Sequence, residues 1–181
     1  KGLRARGVRA VADRALRIAN ERALFERRGA AGDHVGEALF GAGRGPGGEQ
    51  RGEAQLRAVN ALHLMGDKAR ASKEVQSIQA DASLDDDVRR DAYLLESELQ
   101  LRDGQTKAEF DVLARGLAAF PDDSALLYAR ALAWERNDNV PRAEADLRKV
   151  LVAEPENVAA LNALGYTLAD RTQRYQEALE L

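Results

Sequence analysis

The chain carries two histidines, no cysteine and 30 carboxylates, so any catalytic or metal chemistry must come from a narrow set of groups. The segment HVGE sets His34 three residues before Glu37, one helical turn apart. Zinc takes three or four ligands, and a single pair does not supply them. Without cysteine there is no thiol nucleophile, thiolate metal site or disulfide. His34 and His63, isolated on weakly patterned segments, form no Ser–His–Asp arrangement. SLDDDVRR (83–90) gathers three aspartates but lacks the spaced ligands, glycine and distal glutamate of a calcium loop. Ahead of a helix starting near Asp87 it reads as capping and as favourable charge at a helix N-terminus. GAGRGPGG (41–48) is the densest run in a chain that places twelve of its fifteen glycines in residues 1–66. A phosphate-cradling loop joins a strand to a helix and, in its Walker form, ends in Lys followed by Ser or Thr. This run has neither feature and reads as a flexible connection. No catalytic residue, metal site or cofactor is assigned, and the chain is read as a non-enzyme.

Charge is unevenly placed. The formal net charge is −3, yet residues 1–30 hold nine basic and three acidic side chains, leaving an excess of nine negative charges beyond them. Nucleic-acid binding needs such a basic face, usually with aromatics for stacking. Phe25 is the only aromatic nearby, and Asp13, Glu21 and Glu26 interrupt the charge. A solvated polar face is the simpler reading, with RNA or an anionic membrane surface as the alternative. No apolar run approaches the roughly 20 residues that span a bilayer.

The elements that must position any site are helices. Ala, Leu, Arg and Glu dominate, while the 181 residues include four prolines and nine aromatics; such a composition loses little side-chain freedom in a helix. Pro121 and Pro155 lie 34 residues apart, and two amphipathic segments fall between them. The first, Ser124 to Arg136, aligns Leu127, Ala131 and Trp134. The second, Val140 to Ala153, aligns Ala143, Leu147, Val150 and Leu151. Both have the helical period. NDN (137–139) separates them, with Asn139 as N-cap and Pro141 in the first turn, where a missing N–H is harmless.

A helix, a short turn and a helix in 34 residues resembles the tetratricopeptide repeat. The resemblance is carried by Ala131, Trp134, Ala143 and Pro155, then in the next unit by Leu161, Leu164, Gly165, Leu168, Tyr175 and Ala178. The turn ADRTQRY is about one residue long for the pattern, so the second helix of that unit is expected to start late. Upstream, 87–121 turns at Gly104 and 53–85 turns at Gly66, the latter packing Leu62, Ala71, Val75 and Ile78. The expected fold is all-α, an α-α superhelix of stacked hairpins at about 53–85, 87–121, 122–157 and an incomplete 158–181. Before this array, which covers 53–181, come a Gly-rich loop at 41–52 and N-terminal helices in 1–40, where Val8, Val11, Ala15, Ile18 and Phe25 recur at helical spacing.

The resemblance implies function as well. In tetratricopeptide arrays the first helix of each hairpin lines a groove that holds a peptide or partner helix. Mapped here, that face comprises Asp91, Leu94, Glu98 and Arg102, then Tyr128, Leu132, Glu135 and Arg136, then Asn162, Tyr166 and Asp170. It has no lysine, which argues against the Lys/Asn clamp that some such repeats use on a partner's C-terminal carboxylate. The phrase LNALGYTLADRTQRYQEAL is similar to the tetratricopeptide lipoproteins of the Gram-negative envelope. That similarity implies a periplasmic scaffold or adaptor, anchored to the outer membrane in the full-length protein. Its implied partners are proteins, including a C-terminal-processing protease or a cell-wall enzyme, and no small-molecule substrate. The chain starts without Met and stops inside a repeat, so it is expected to be a segment of a longer protein. The interrupted unit is expected to expose an apolar edge around Leu164, Leu168, Ala178 and Leu179, open to self-association.

Overall fold

The computed structural model describes residues 48–172 and 174–179. The helices expected in 1–40, His34 and most of the Gly-rich stretch lie outside the described residues. Among the described residues eight α-helices follow one another: α1 (Gly48–Leu64), α2 (Lys68–Ala80), α3 (Asp86–Arg102), α4 (Thr106–Ala119), α5 (Ser124–Arg136), α6 (Val140–Ala153), α7 (Val158–Tyr166) and α8 (Tyr175–Leu179). A π-helical turn, Thr167–Arg171, extends α7. The helices pair as α1–α2, α3–α4, α5–α6 and α7–α8. Each hairpin packs on the next, and the first helices also touch directly, α1 on α3 and α3 on α5.

Local chemistry sets the boundaries. Asn139 Oδ1 accepts from the Arg142 N–H at 3.4 Å, and Pro141 occupies the first turn of α6. Asp123 caps α5 through the Leu126 N–H at 2.9 Å, and Asn157 caps α7 through the Ala160 N–H at 3.0 Å. The first three hairpins share one turn. The backbone N–H groups of Asp67, Gln105 and Asn139 reach back five residues to the carbonyls of Leu62, Gln100 and Trp134. The residue before each donor is left-handed: Gly66 at φ 89°, Gly104 at 69° and Asp138 at 57°. This is the Schellman ending, in which glycine is the usual left-handed residue and a short polar side chain the tolerated substitute. The stretch SLDDDVRR does less capping than expected. Asp85 precedes α3 without a side-chain cap bond, whereas Asp86 and Asp87 in the first turn pair with Arg89 and Arg90 at 2.9 and 2.6 Å.

Two boundaries differ from the sequence reading. Helix α1 starts at Gly48, inside the stretch expected to be loop. Glu49, Gln50, Arg51 and Glu53 are good helix formers, and Gly52 has a packing role. A Cβ at Gly52 would fall 2.3 Å from Cγ1 of Val88, a buried residue of α3. Gly52→Ala is therefore expected to destabilise the array by about 1–2 kcal/mol, overpacking outweighing the roughly 1 kcal/mol gain in helix propensity. A urea midpoint equal to or above that of the parent chain would contradict it. The second difference concerns the terminal unit. Leu164 and Leu168, expected at an open apolar edge, are fully buried with Leu127, Ala131, Leu147, Val150 and Ala160, and Ala178 packs against the same cluster. The π-turn carries Leu168 inward, so this seam is closed by the chain's own helices.

The packing positions read from helical spacing form the core. Leu62, Ala71, Val75 and Ile78 are buried, as are Leu127, Ala131, Ala143, Leu147 and Val150. Trp134 stacks on Phe110 of α4 with ring centroids 4.1 Å apart, and the Arg142 guanidinium lies 4.6 Å over its ring.

Candidate partner-binding groove

Buried carboxylates, each gripped by an arginine, tie helices together within and between hairpins. Glu96 of α3 accepts from Arg115 of α4 at 2.8 Å and from Gln79 of α2 at 2.7 Å. Arg130 of α5 makes a forked pair with Asp146 of α6, both bonds 2.8 Å. Its guanidinium is held more firmly protonated, first by that hydrogen bond. Glu109 of α4 is bonded by Arg136 of α5. At the end of the array Glu144 receives Arg148 at 2.7 Å and Arg174 at 2.8 Å.

His63, weighed above for chemistry, sits at the end of α1 with Nε2 3.3 Å from Asp103. Asp103 also accepts from Lys68 at 2.7 Å. The Lys68 hydrogen bond, aided by His63, holds its carboxyl below the usual aspartate range. The cluster ties the turn of the first hairpin to that of the second. Among the described residues no three His, Asp or Glu side chains gather as metal ligands, and no helix is long and apolar enough to cross a membrane.

The first-helix face divides in two. On α3 its charges are matched: Asp91 pairs with Arg90 at 3.0 Å, and Glu98 with Arg102 at 2.6 Å. Arg102 also donates to Asn60 Oδ1 of α1 at 3.1 Å, bridging two first helices. Leu94 is half-buried against the cluster of Leu113, Leu126 and Ala133. On α5, Tyr128 packs against the cluster that contains Leu164 and Leu168. Burial, with the charge of Glu135 second, raises its phenol pKa above the ordinary value. Leu132 and Glu135 are half-buried. Arg136, expected on the groove, is engaged with Glu109 of the preceding hairpin. Beyond α5, Asn162 and Asp170 are exposed, and Tyr166 is 59% exposed.

The sequence reading assigned nothing on α1. There Asn60 joins the face through Arg102, and Leu64, Met65 and, at the end of α3, Leu101 are exposed apolar side chains. The signal was the run HLM, 63–65, which continues past the apolar stripe of α1 and into the turn.

Two-helix hairpins stacked in chain order, with contiguous first helices, define an α-α superhelical repeat scaffold. No family model matches the chain. It is 40% identical over 128 residues, 71% of its length, to a TPR repeat-containing protein of Pseudomonas aeruginosa. Over that stretch the chain matches a tetratricopeptide-repeat protein, and its described residues have the tetratricopeptide-repeat superhelical fold. It spans 21% of the length of that relative. Two solved structures are similar in fold: a MamA RS-1 ArsTM double mutant, TM-score 0.56, and MamA from residue 41 to the end from Desulfovibrio magneticus RS-1, TM-score 0.54. Each is 21% identical, and the matches cover 92% of this chain and 88% and 89% of theirs. Arrays of this kind are scaffolds for protein–protein interaction.

Proposed function

We propose that this chain is a non-enzymatic adaptor that holds a partner protein along its first-helix face. The observation that supports the reading is the change along that face. Its α3 part is internally neutralised, whereas the α5 and α7 part presents Tyr128, Leu132 and the exposed Tyr166. Tyrosine combines a rigid apolar body with a polar tip and is enriched at interface hot spots. The resemblance of the closing phrase to envelope lipoproteins favours a periplasmic, outer-membrane-anchored setting for the full-length protein. It also supports a C-terminal-processing protease or a cell-wall enzyme as partner.

Tyr128→Ala combined with Tyr166→Ala is expected to reduce capture of such a partner from envelope extract by about tenfold or more, on the scale of two hot-spot losses. Helical circular dichroism should stay unchanged. Undiminished capture of every envelope protein by the double variant would refute the groove assignment. Incorporation of a labelled fatty acid into the full-length gene product would test the anchor. The alternative, RNA or anionic-membrane binding through residues 1–30, rests on a segment outside the described residues. It predicts complexes that weaken steeply with salt through counterion release.

A further inference from the structure

The partner face ends in two carboxylates placed where a helix least favours them. Glu135 is the penultimate residue of α5, and Asp170 the penultimate residue of the π-turn that extends α7. The C-terminal end of a helix carries partial negative charge, so acidic side chains there are disfavoured and basic ones favoured. The arginines that follow each of them do not neutralise them. Arg136 is bonded to Glu109, and Arg171 reaches Asp138 in the α5–α6 turn. The second contact links the π-turn to the turn that follows α5; Glu135 stands three residues before Asp138, and Asp170 one before Arg171. On α3, by contrast, Asp91 and Glu98 each have an arginine partner. The backbone singles out the same place. A π-turn is rare and frequently marks functional sites, and this one runs between the exposed Tyr166 and Thr172, whose hydroxyl donates to the Leu168 carbonyl at 2.7 Å. Tyr128 lies within electrostatic reach of Glu135.

We propose that this end of the face receives a lysine or arginine side chain of the partner, carried on a segment with neighbouring apolar residues. Glu135 and Asp170 supply the opposite charge, and Tyr128 and Tyr166 offer aromatic surface, which attracts a cation beyond its carboxylate pairing. The inference rests on the first-helix face being the binding face, and adds the chemistry of what it binds.

The test uses the whole 181-residue chain and two short labelled peptides of Leu, Ala and Arg, or of Leu, Ala and Glu, followed by fluorescence anisotropy. The arginine peptide should bind and its glutamate twin should not. Glu135→Gln with Asp170→Asn should weaken the arginine peptide about tenfold, the scale of two exposed charge pairs. Asp111→Asn with Glu156→Gln, an equal charge change at exposed positions of α4 and the α6–α7 loop, should leave it unchanged. Equal binding of both peptides, no binding of the arginine peptide, or equal weakening by both variant pairs would overturn the cation site. If the tyrosine double variant abolishes binding of both peptides, the groove stands and only its preference for cations falls. If the tyrosine variant changes neither, the groove reading falls and the cation site with it.

Discussion

Replacing Arg130 by alanine is expected to lower the stability of the array by about 3 kcal/mol, one of the largest effects available to a single side chain outside the apolar core. Its guanidinium reaches both oxygens of Asp146, Nε to Oδ2 and Nη2 to Oδ1, each at 2.8 Å. The Asp146 side chain is only 6% exposed, whereas that of Arg130 is 26% exposed. Deleting the arginine therefore strands a desolvated carboxylate between α5 and α6. Losing one partner of a fully buried pair costs roughly 3–5 kcal/mol, and the partial exposure of Arg130 places this case at the lower end. Lysine at 130 would keep the charge but not the fork, so Arg130→Lys should fall between the two. Arg130→Leu with Asp146→Leu should recover most of the loss, because no charge is left unpaired. Urea unfolding of the parent chain and these three variants measures each difference. A loss below about 1 kcal/mol for Arg130→Ala, the range of an exposed pair, would show that water reaches Asp146.

That clasp also marks where the sequence stopped being informative. The spans Ser124–Arg136 and Val140–Ala153 were legible to the residue because short-range chemistry writes their ends. Asp123, Asn139 and Pro141 act within one turn of where they stand. Gly66 and Gly104 announced their turns for the same reason, the left-handed backbone at each. Asp138 makes the third turn with no glycine, and only NDN hinted at it. The buried Glu96, Glu109 and Asp146 were not legible. Nothing local separates them from the other carboxylates, since their partners Arg115, Arg136 and Arg130 lie on neighbouring helices. The candidate site divides along the same line. Tyr166 needs only a helical period to be placed on its face. The direction of Arg136 depends on Glu109, 27 residues earlier, to which it is bonded. The π-turn had one trace in the sequence, the overlong ADRTQRY. The late start of α8 at Tyr175 agrees with that reading.

Leu164→Ala should cost about 2–4 kcal/mol, and the loss should be confined to the α7–α8 unit of this 181-residue chain. Had Leu164 stood on an open edge, its truncation would be worth no more than about 0.5 kcal/mol, as for ordinary surface changes. Instead it is fully buried at the junction of α5, α6 and α7, together with Leu127, Leu147, Val150 and Leu168. Truncation there loses the transfer energy of the removed methyl groups and leaves a cavity that the packed neighbours fill only in part. In a stacked array each hairpin contacts mainly its neighbours, so stability is a sum of unit and interface terms and not one global quantity. The α7–α8 unit has little support of its own. Its first helix is nine residues long and its second five, and its interface with α6 supplies much of what holds it. Weakening that interface should let α7, the π-turn and α8 open locally while α1 to α4 remain folded. Amide hydrogen exchange would show this as lost protection from about residue 158 onward, with α3 unchanged. Uniform loss of protection along the array would mean that the hairpins unfold as one unit. Unchanged protection at α7 would mean that the seam at Leu164 is not closed in solution. The outcome bears on function because Tyr166 and Asp170 sit on the segment that opens, so Leu164→Ala should also weaken partner binding without touching a residue of the groove.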